Sequence, residues 1–279
     1  MYKTSASKPI ISAFLMLLIM AIAFPLFLPL TTTLGEGEAT LDEPLYIPVM
    51  GGAEDFSYYA SYFGGWYNGP SIRTKKYIAL TFDDGPSKHT TPILDALRMY
   101  GGKATFCVIG NRVEDYRATI RQAARQGCEV IGHTWSHPNL ADMSAESVRS
   151  QISSASEAVE RLTGVRCRMF RPPYGSTNQT VMDVAAELKL AALMWSVDTE
   201  DWTDNDAERI YNHIMDNASD GAIILCHDIY AETAEAACRA IPDLIKQGYQ
   251  LVTVSELIRR KTNAAPTAGA MYYEGARKK

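Results

Sequence analysis

The chain has 279 residues, of which 47% are hydrophobic and 21% charged, and a formal net charge of −5. That size and balance fit a globular protein with room for a sizeable core. An acidic balance with no basic face argues against nucleic acid as a partner, because phosphate backbones are held by clustered Lys and Arg.

Lys3 and Lys8 precede an uncharged run from Pro9 to Leu30, long enough to cross a bilayer, which takes about 20 apolar residues. Glu36, Glu38, Asp42 and Glu43 follow it, so the positive-inside bias places the C-terminal bulk outside the cytoplasm. Residues 1–30 are therefore expected to be a signal peptide or a membrane anchor. Ala21-Ile22-Ala23 resembles a cleavage site, yet the apolar run continues beyond it. Residues 31–70 are expected to be a linker and an aromatic-rich arm (Phe56, Tyr58, Tyr59, Tyr62, Phe63, Trp66, Tyr67) that covers apolar surface of the following domain.

From Lys76 strands alternate with helices. The β-rich run Tyr77 to Phe82 stops at Asp83-Asp84-Gly85-Pro86, which cannot continue a strand. A helix over 91–99 ends at Gly101-Gly102, a strand covers 104–109, and a helix around 117–126 ends at Gly127. The third strand is Glu129 to Gly132. Ser144-Ala145-Glu146-Ser147 opens a long helix that Gly164 stops. Strands follow over 168–170, 191–197, 222–226 and 250–252, with helices around 178–188, 207–217 and 233–247. Asn178 suits a helix N-cap. About seven β/α alternations imply parallel strands wrapped by helices, compatible with an open doubly wound sheet or a closed barrel. Residues 71–261 are expected to form a single catalytic domain, and 262–279 a disordered tail.

The five cysteines (Cys107, Cys128, Cys167, Cys226, Cys238) show no Cys-x-x-Cys spacing, so a cysteine zinc site is not expected and no disulfide is assigned. The polar residues that stand out follow predicted strands directly: Asp83-Asp84, His133 with His137, Arg171-Pro172-Pro173-Tyr174-Gly175, Asp198 with Asp201-Trp202, and His227-Asp228. An Asp with two His is a sound ligand set for a catalytic divalent metal, since three protein ligands leave a position open. The four-residue spacing of His133 and His137 brings the imidazoles together if they form one helical turn. Of two adjacent aspartates, one can bind metal and the other stand beside the attacking water, oriented by Arg171. A further His beside an Asp can protonate an amine leaving group. His89 and His213, away from these clusters, read as structural. Asp228 reads as a loop-capping residue. A glycoside hydrolase using Asp83 and Asp201 would leave His133 and His137 unexplained.

Thr81-Phe82-Asp83-Asp84-Gly85-Pro86, His133-Thr134-Trp135-Ser136-His137-Pro138, Arg171-Pro172-Pro173-Tyr174-Gly175, Asp198-Thr199-Glu200-Asp201-Trp202 and Leu225-Cys226-His227-Asp228 resemble, in order, the five motifs of the polysaccharide deacetylase family. This is the NodB-homology group, carbohydrate esterase family four. The resemblance extends to peptidoglycan N-acetylglucosamine deacetylases and covers about Lys76 to Val254. It implies an α/β fold, a distorted (β/α) barrel of about seven parallel strands, and one divalent metal ion, zinc in expectation. It implies Asp84, His133 and His137 as metal ligands, and Asp83 as general base oriented by Arg171. His227 would be the general acid, with Asp201, or less favourably Asp198, as its partner. Tyr174 would help hold the oxyanion through its backbone N–H, and Trp202 and Leu225 would wall the acetyl methyl.

The implied activity is metal-dependent hydrolysis of N-acetyl groups, a linear-amide hydrolase reaction, on an extracytoplasmic amino-sugar polymer. N-acetylglucosamine of peptidoglycan is the expected substrate. Chito-oligosaccharide, N-acetylmuramic acid and xylan deacetylation are alternatives, and a non-catalytic glycan-binding module is the alternative of another class. The partner is thus an acetylated cell-wall glycan, with membrane contact through residues 1–30 if uncleaved. No protein partner is implied.

Overall fold

The computed structural model describes residues 75–204 and 206–275. The anchor or signal segment and the aromatic arm expected over residues 1–70 lie outside that range. Among the described residues, no helix is long and apolar enough to cross a membrane.

Among them are nine strands and seven α-helices. The first half runs β1 (Lys76–Asp83), α1 (Thr90–Tyr100), β2 (Thr105–Val108), α2 (Arg117–Arg125), β3 (Glu129–Gly132), α3 (Ala145–Thr163), β4 (Met169–Phe170) and α4 (Gln179–Glu187). Then come β5 (Ala191–Leu193), β6 (Val197–Asp198), α5 (Ala207–Asp216), β7 (Ile223–His227), α6 (Ala231–Lys246), β8 (Tyr249–Leu251), α7 (Val254–Thr262) and β9 (Met271–Tyr272). The sheet order is β6-β7-β1-β2-β3-β4-β5-β9, and every pairing is parallel. β8 pairs with the first half of β1 (Lys76–Ile78), and β2 with its second half (Thr81–Asp83). The sheet curls into a distorted (β/α) barrel with helices outside.

Strand parity sorts the core into two regions. Ile78, Leu80 and Phe82 of β1 pack outward with helix residues such as Ile93, Leu97 and Ile241. Ala79 faces the other way and shares the barrel interior with Cys107, Ile131, Met169, Leu193 and Ile223. Asp83 follows Ala79 and Thr81 on that inner face, because side chains alternate along a strand. The helix starts obey their caps: Ser144 accepts from Ser147 N, and Asn178 accepts from Val181 N, as its sequence position predicts. All five cysteines are free.

The structure departs from the sequence reading in three places. The single strand expected over 191–197 is two: β5 pairs with β4 and β9, β6 with β7. The carbonyls of Leu193 and Met194, at the break, accept from the Arg171 guanidinium instead of a neighbouring strand. Second, α7 was not foreseen. Val254, Leu257 and Ile258 fill the barrel interior, and the helix start is tied to the strand origins through Val254 N to Thr105 Oγ1 (2.9 Å) and Ser255 N to Glu129 (3.1 Å). Third, part of the expected disordered tail is ordered. β9 lies against β5, with Ala192 N donating to Ala270 O (2.8 Å) and Met194 N to Tyr272 O (2.7 Å). The local composition hides this strand because an open sheet edge offers main-chain partners to almost any sequence.

Tyr272 is buried, and its hydroxyl accepts from Thr267 N at 3.0 Å. Tyr272→Ala is expected to cost about 3 kcal/mol, the scale of an aromatic deletion from a core. Urea unfolding measures it, and an unchanged midpoint would show that β9 adds nothing to the domain.

Candidate active site

The predicted site residues converge at the C-terminal ends of the strands, where a (β/α) barrel presents its loops. Asp83 ends β1 and His227 ends β7, paired in register across the sheet. Asp84 follows with φ 67, so the chain turns sharply and the two neighbouring carboxylates part company. The turn needs Gly85. A Cβ there would lie 2.2 Å from Asp228 Oδ1. Asp228 is buried beneath this turn, where its carboxylate accepts from Thr90 Oγ1 and its carbonyl from Ser87 Oγ. Burial pushes the Asp228 carboxyl up to about 7.

His133 and His137 do not form a helical turn. Thr134 and His137 have φ of 65° and 63°, and the loop folds back so that the rings meet at 4.9 Å between centroids. Gln151 of α3 accepts from both Trp135 N and Ser136 N at 3.0 Å, and Thr134 Oγ1 accepts from His137 N at 3.1 Å. Asp84 Oδ1 lies 3.4 Å from His133 Nε2 and 3.2 Å from His137 Nε2.

The donor chemistry of this cluster fits a cation. His133 Nδ1 lies 2.8 Å from Arg171 O. A carbonyl only accepts, so Nδ1 carries a proton, and the neutral form of the ring presents its lone pair at Nε2. That lone pair faces Asp84 Oδ1, itself a buried oxygen with no hydrogen-bond partner. Burial, with the neighbouring imidazole of His133 adding to it, lowers the His137 pKa and favours its neutral ring. Burial raises the Asp84 carboxyl, but attraction to the neighbouring imidazoles of His133, His137 and His227 outweighs it and leaves it below the ordinary carboxylate range. Two imidazoles and one carboxylate converging within 4.8 Å could hold a divalent metal.

Beside this cluster stands a buried ion pair. Arg171 Nη1 donates to Asp83 Oδ1 at 2.7 Å and to Thr81 Oγ1 at 2.8 Å. Its Nη2 donates to Met194 O at 2.9 Å and Nε to Leu193 O at 3.4 Å. Asp83 Oδ2, left without the guanidinium, is 3.7 Å from His133 Nε2. The third group is His227, whose Nδ1 and main-chain N both meet Asp201, each at 2.7 Å. Asp198 is turned elsewhere, accepting from Glu200 N. Burial pushes the His227 pKa down, but the Asp201 hydrogen bond and charge carry it up to about 9.

Tyr174, with φ 59, meets the His137 ring in a T-shaped contact at 4.7 Å between centroids and is 70% exposed. Trp202 is 59% exposed, whereas Leu225 is buried. Sequence reasoning missed Thr233, which donates to Asp201 Oδ2 at 2.8 Å, and Gln151. Neither carries a local signal, since each reaches the site from a helix, Thr233 from the first turn of α6 and Gln151 from within α3.

In the metal-free protein, the His227 imidazole is expected to titrate near 9 by NMR. Asp201→Asn should move that midpoint down by about 1–3 units, because the charge favouring the imidazolium is gone while burial stays. An unmoved midpoint would place the cause elsewhere.

Three comparisons bear on this arrangement. The family model described as polysaccharide deacetylase matches residues 71–193. The chain is 45% identical over 184 residues to the peptidoglycan-N-acetylmuramic acid deacetylase PdaC of Bacillus subtilis, covering 66% of this chain and 39% of that protein. It is 35% identical over 206 residues to a peptidoglycan-N-acetylglucosamine deacetylase of Bacillus cereus, covering 72% of this chain and 73% of the relative. A solved structure of the Bacillus subtilis PdaC superposes with a TM-score of 0.65 at 43% identity, covering 68% of this chain and 93% of the other. The chain thus spans about two fifths of the length of full PdaC.

Proposed function

The chain belongs to the polysaccharide deacetylase family, and we propose that it hydrolyses N-acetyl groups of peptidoglycan, N-acetylglucosamine first, outside the cytoplasm. One observation carries this reading: a buried, Arg-held carboxylate (Asp83) stands next to Asp84, His133 and His137, a group able to hold a metal, with an Asp-held histidine on the same face of the barrel.

Asp84, His133 and His137 would hold one divalent cation, zinc by the mixture of nitrogen and oxygen donors. Bound there, the cation would supply Lewis acidity to the acetyl carbonyl and to water. Asp83 is the general base. Arg171 occupies its Oδ1, so Oδ2 is the oxygen that takes the proton from the attacking water. The water oxygen bonds to the acetyl carbon, and the Tyr174 N–H shares the oxyanion charge. His227 then gives its proton to the amine nitrogen as the C–N bond breaks, releasing acetate and a free amino sugar. Asp201 keeps Nδ1 protonated and the ring cationic through neutral pH. Trp202 and Leu225 line the acetyl methyl. Residues 1–30 carry the domain across the membrane, as an anchor or a cleaved signal, in keeping with their apolar run.

The test is acetate release by the purified chain from peptidoglycan and from chito-oligosaccharides, before chelation, after it, and after zinc return. Loss on chelation with recovery on zinc supports the proposal. Release that survives chelation would sink it. Asp83→Asn is expected to keep its metal and lose about 10²-fold or more in rate. Asp84→Asn should instead weaken metal binding, seen as a lower metal content after dialysis. Equal metal loss in both variants would overturn the division of roles.

A further inference from the structure

One cation at this site has no carboxylate partner. Arg112 sits in the short 3-10 turn after β2, and its guanidinium is half-buried beside the metal cluster, donating from Nη1 to Asp84 O at 3.2 Å. The turn is fixed against the His133–His137 loop: Gly110 N donates to Thr134 O at 2.9 Å and Asn111 N to Trp135 O at 3.1 Å. Arg171 is committed to Asp83 and Arg209 to Asp204. Arg112 forms no ion pair among the described residues. A guanidinium carries five N–H donors, and the one carbonyl leaves four without a described partner.

Partial burial of a charge is costly when a single carbonyl is the return. The same fork matches a carboxylate in two-bond geometry, which makes such a pair roughly twice as strong as a neutral hydrogen bond. Trp135 is 40% exposed and packs over Gly110, two residues before Arg112, so closely that an added Cβ there would approach its ring to 2.7 Å. An exposed indole on the loop to which the Arg112 turn is bonded suits a sugar ring that bears an acidic substituent.

We infer that Arg112 binds a carboxylate of the glycan strand and so selects acid-bearing polymers over neutral ones. This rests on the deacetylase reading above and names the substrate chemistry of that site. In peptidoglycan the carboxylate comes from one of two sources: the stem peptide in intact strands, or the lactyl group of muramic acid once stems are removed.

The experiment measures kcat/KM for acetate release by wild type, Arg112→Gln and Arg112→Lys, each loaded with zinc. Three substrates are compared: intact strands, stem-free strands and chito-oligosaccharides. Arg112→Gln should lose about tenfold more on an acid-bearing strand than on the neutral oligomer, the scale of one charge-assisted bond. Arg112→Lys should lose less than Arg112→Gln on that strand because it keeps the charge. The strand showing the excess loss identifies the source of the carboxylate. Equal losses on all three substrates would mean that Arg112 only steadies the Asp84 turn, and the inference fails while the deacetylase reading stands. No acetate from any substrate with wild type would remove that reading and this inference with it.

Discussion

The buried guanidinium of Arg171 is the constraint around which the site is arranged. A fully buried cation is tolerated only when its charge and its donors are matched, since an isolated one would cost several kcal/mol. Asp83 supplies the charge, and Thr81, Leu193 and Met194 take the remaining donors. Those demands reach outward. The chain must leave the β-ladder after Leu193 so that two carbonyls can face the guanidinium, which splits β5 from β6. The Arg171 carbonyl in turn fixes the His133 tautomer, so Asp83 and His133 hang from the same residue.

Around this rigid centre the loops carry unfavourable backbone. Asp84, Thr134, His137, Tyr174 and Glu200 have φ between 55° and 67°, a region that L-residues avoid. Each such residue costs on the order of 1 kcal/mol and persists only where the surroundings impose it. Here the impositions are visible: the Asp228 carboxylate under Gly85, and the Gln151 amide under Trp135 and Ser136. The positive φ at Asp84 sends its carboxylate to the histidines while Asp83 stays on the inner face of β1. One local kink separates two chemically identical side chains into two environments.

The His227 side of the site is built by different means. His227 comes from the strand next to β1, and Asp201 reaches it from the loop after β6, gripping the ring and the main-chain N–H together. Thr233 from α6 occupies the remaining valence of Asp201 Oδ2. Imidazole orientation is thus set by a carboxylate that is itself held, in the manner of other histidines whose proton must sit on one chosen nitrogen.

Much of this was legible in the sequence. Hydrophobic runs of strand length, glycines after helices and capping residues such as Ser144 and Asn178 are local signals, and they located the elements well. The convergence of the candidate site residues was legible because a parallel β/α fold gathers whatever ends or follows each strand onto one face, and Asp83, His133, Arg171 and His227 all lie at strand ends. What the sequence could not decide depends on contacts between distant segments. The choice of Asp201 over Asp198 is a matter of which carboxylate the β6–β7 pairing turns toward His227. The folded loop that joins His133 to His137 needs Gln151 from another element, and β9 exists because β5 leaves an edge for it. Local propensity fixes what each segment prefers to be. Only tertiary packing fixes which buried polar groups must satisfy one another, because those partners lie tens of residues apart and no window of sequence contains both.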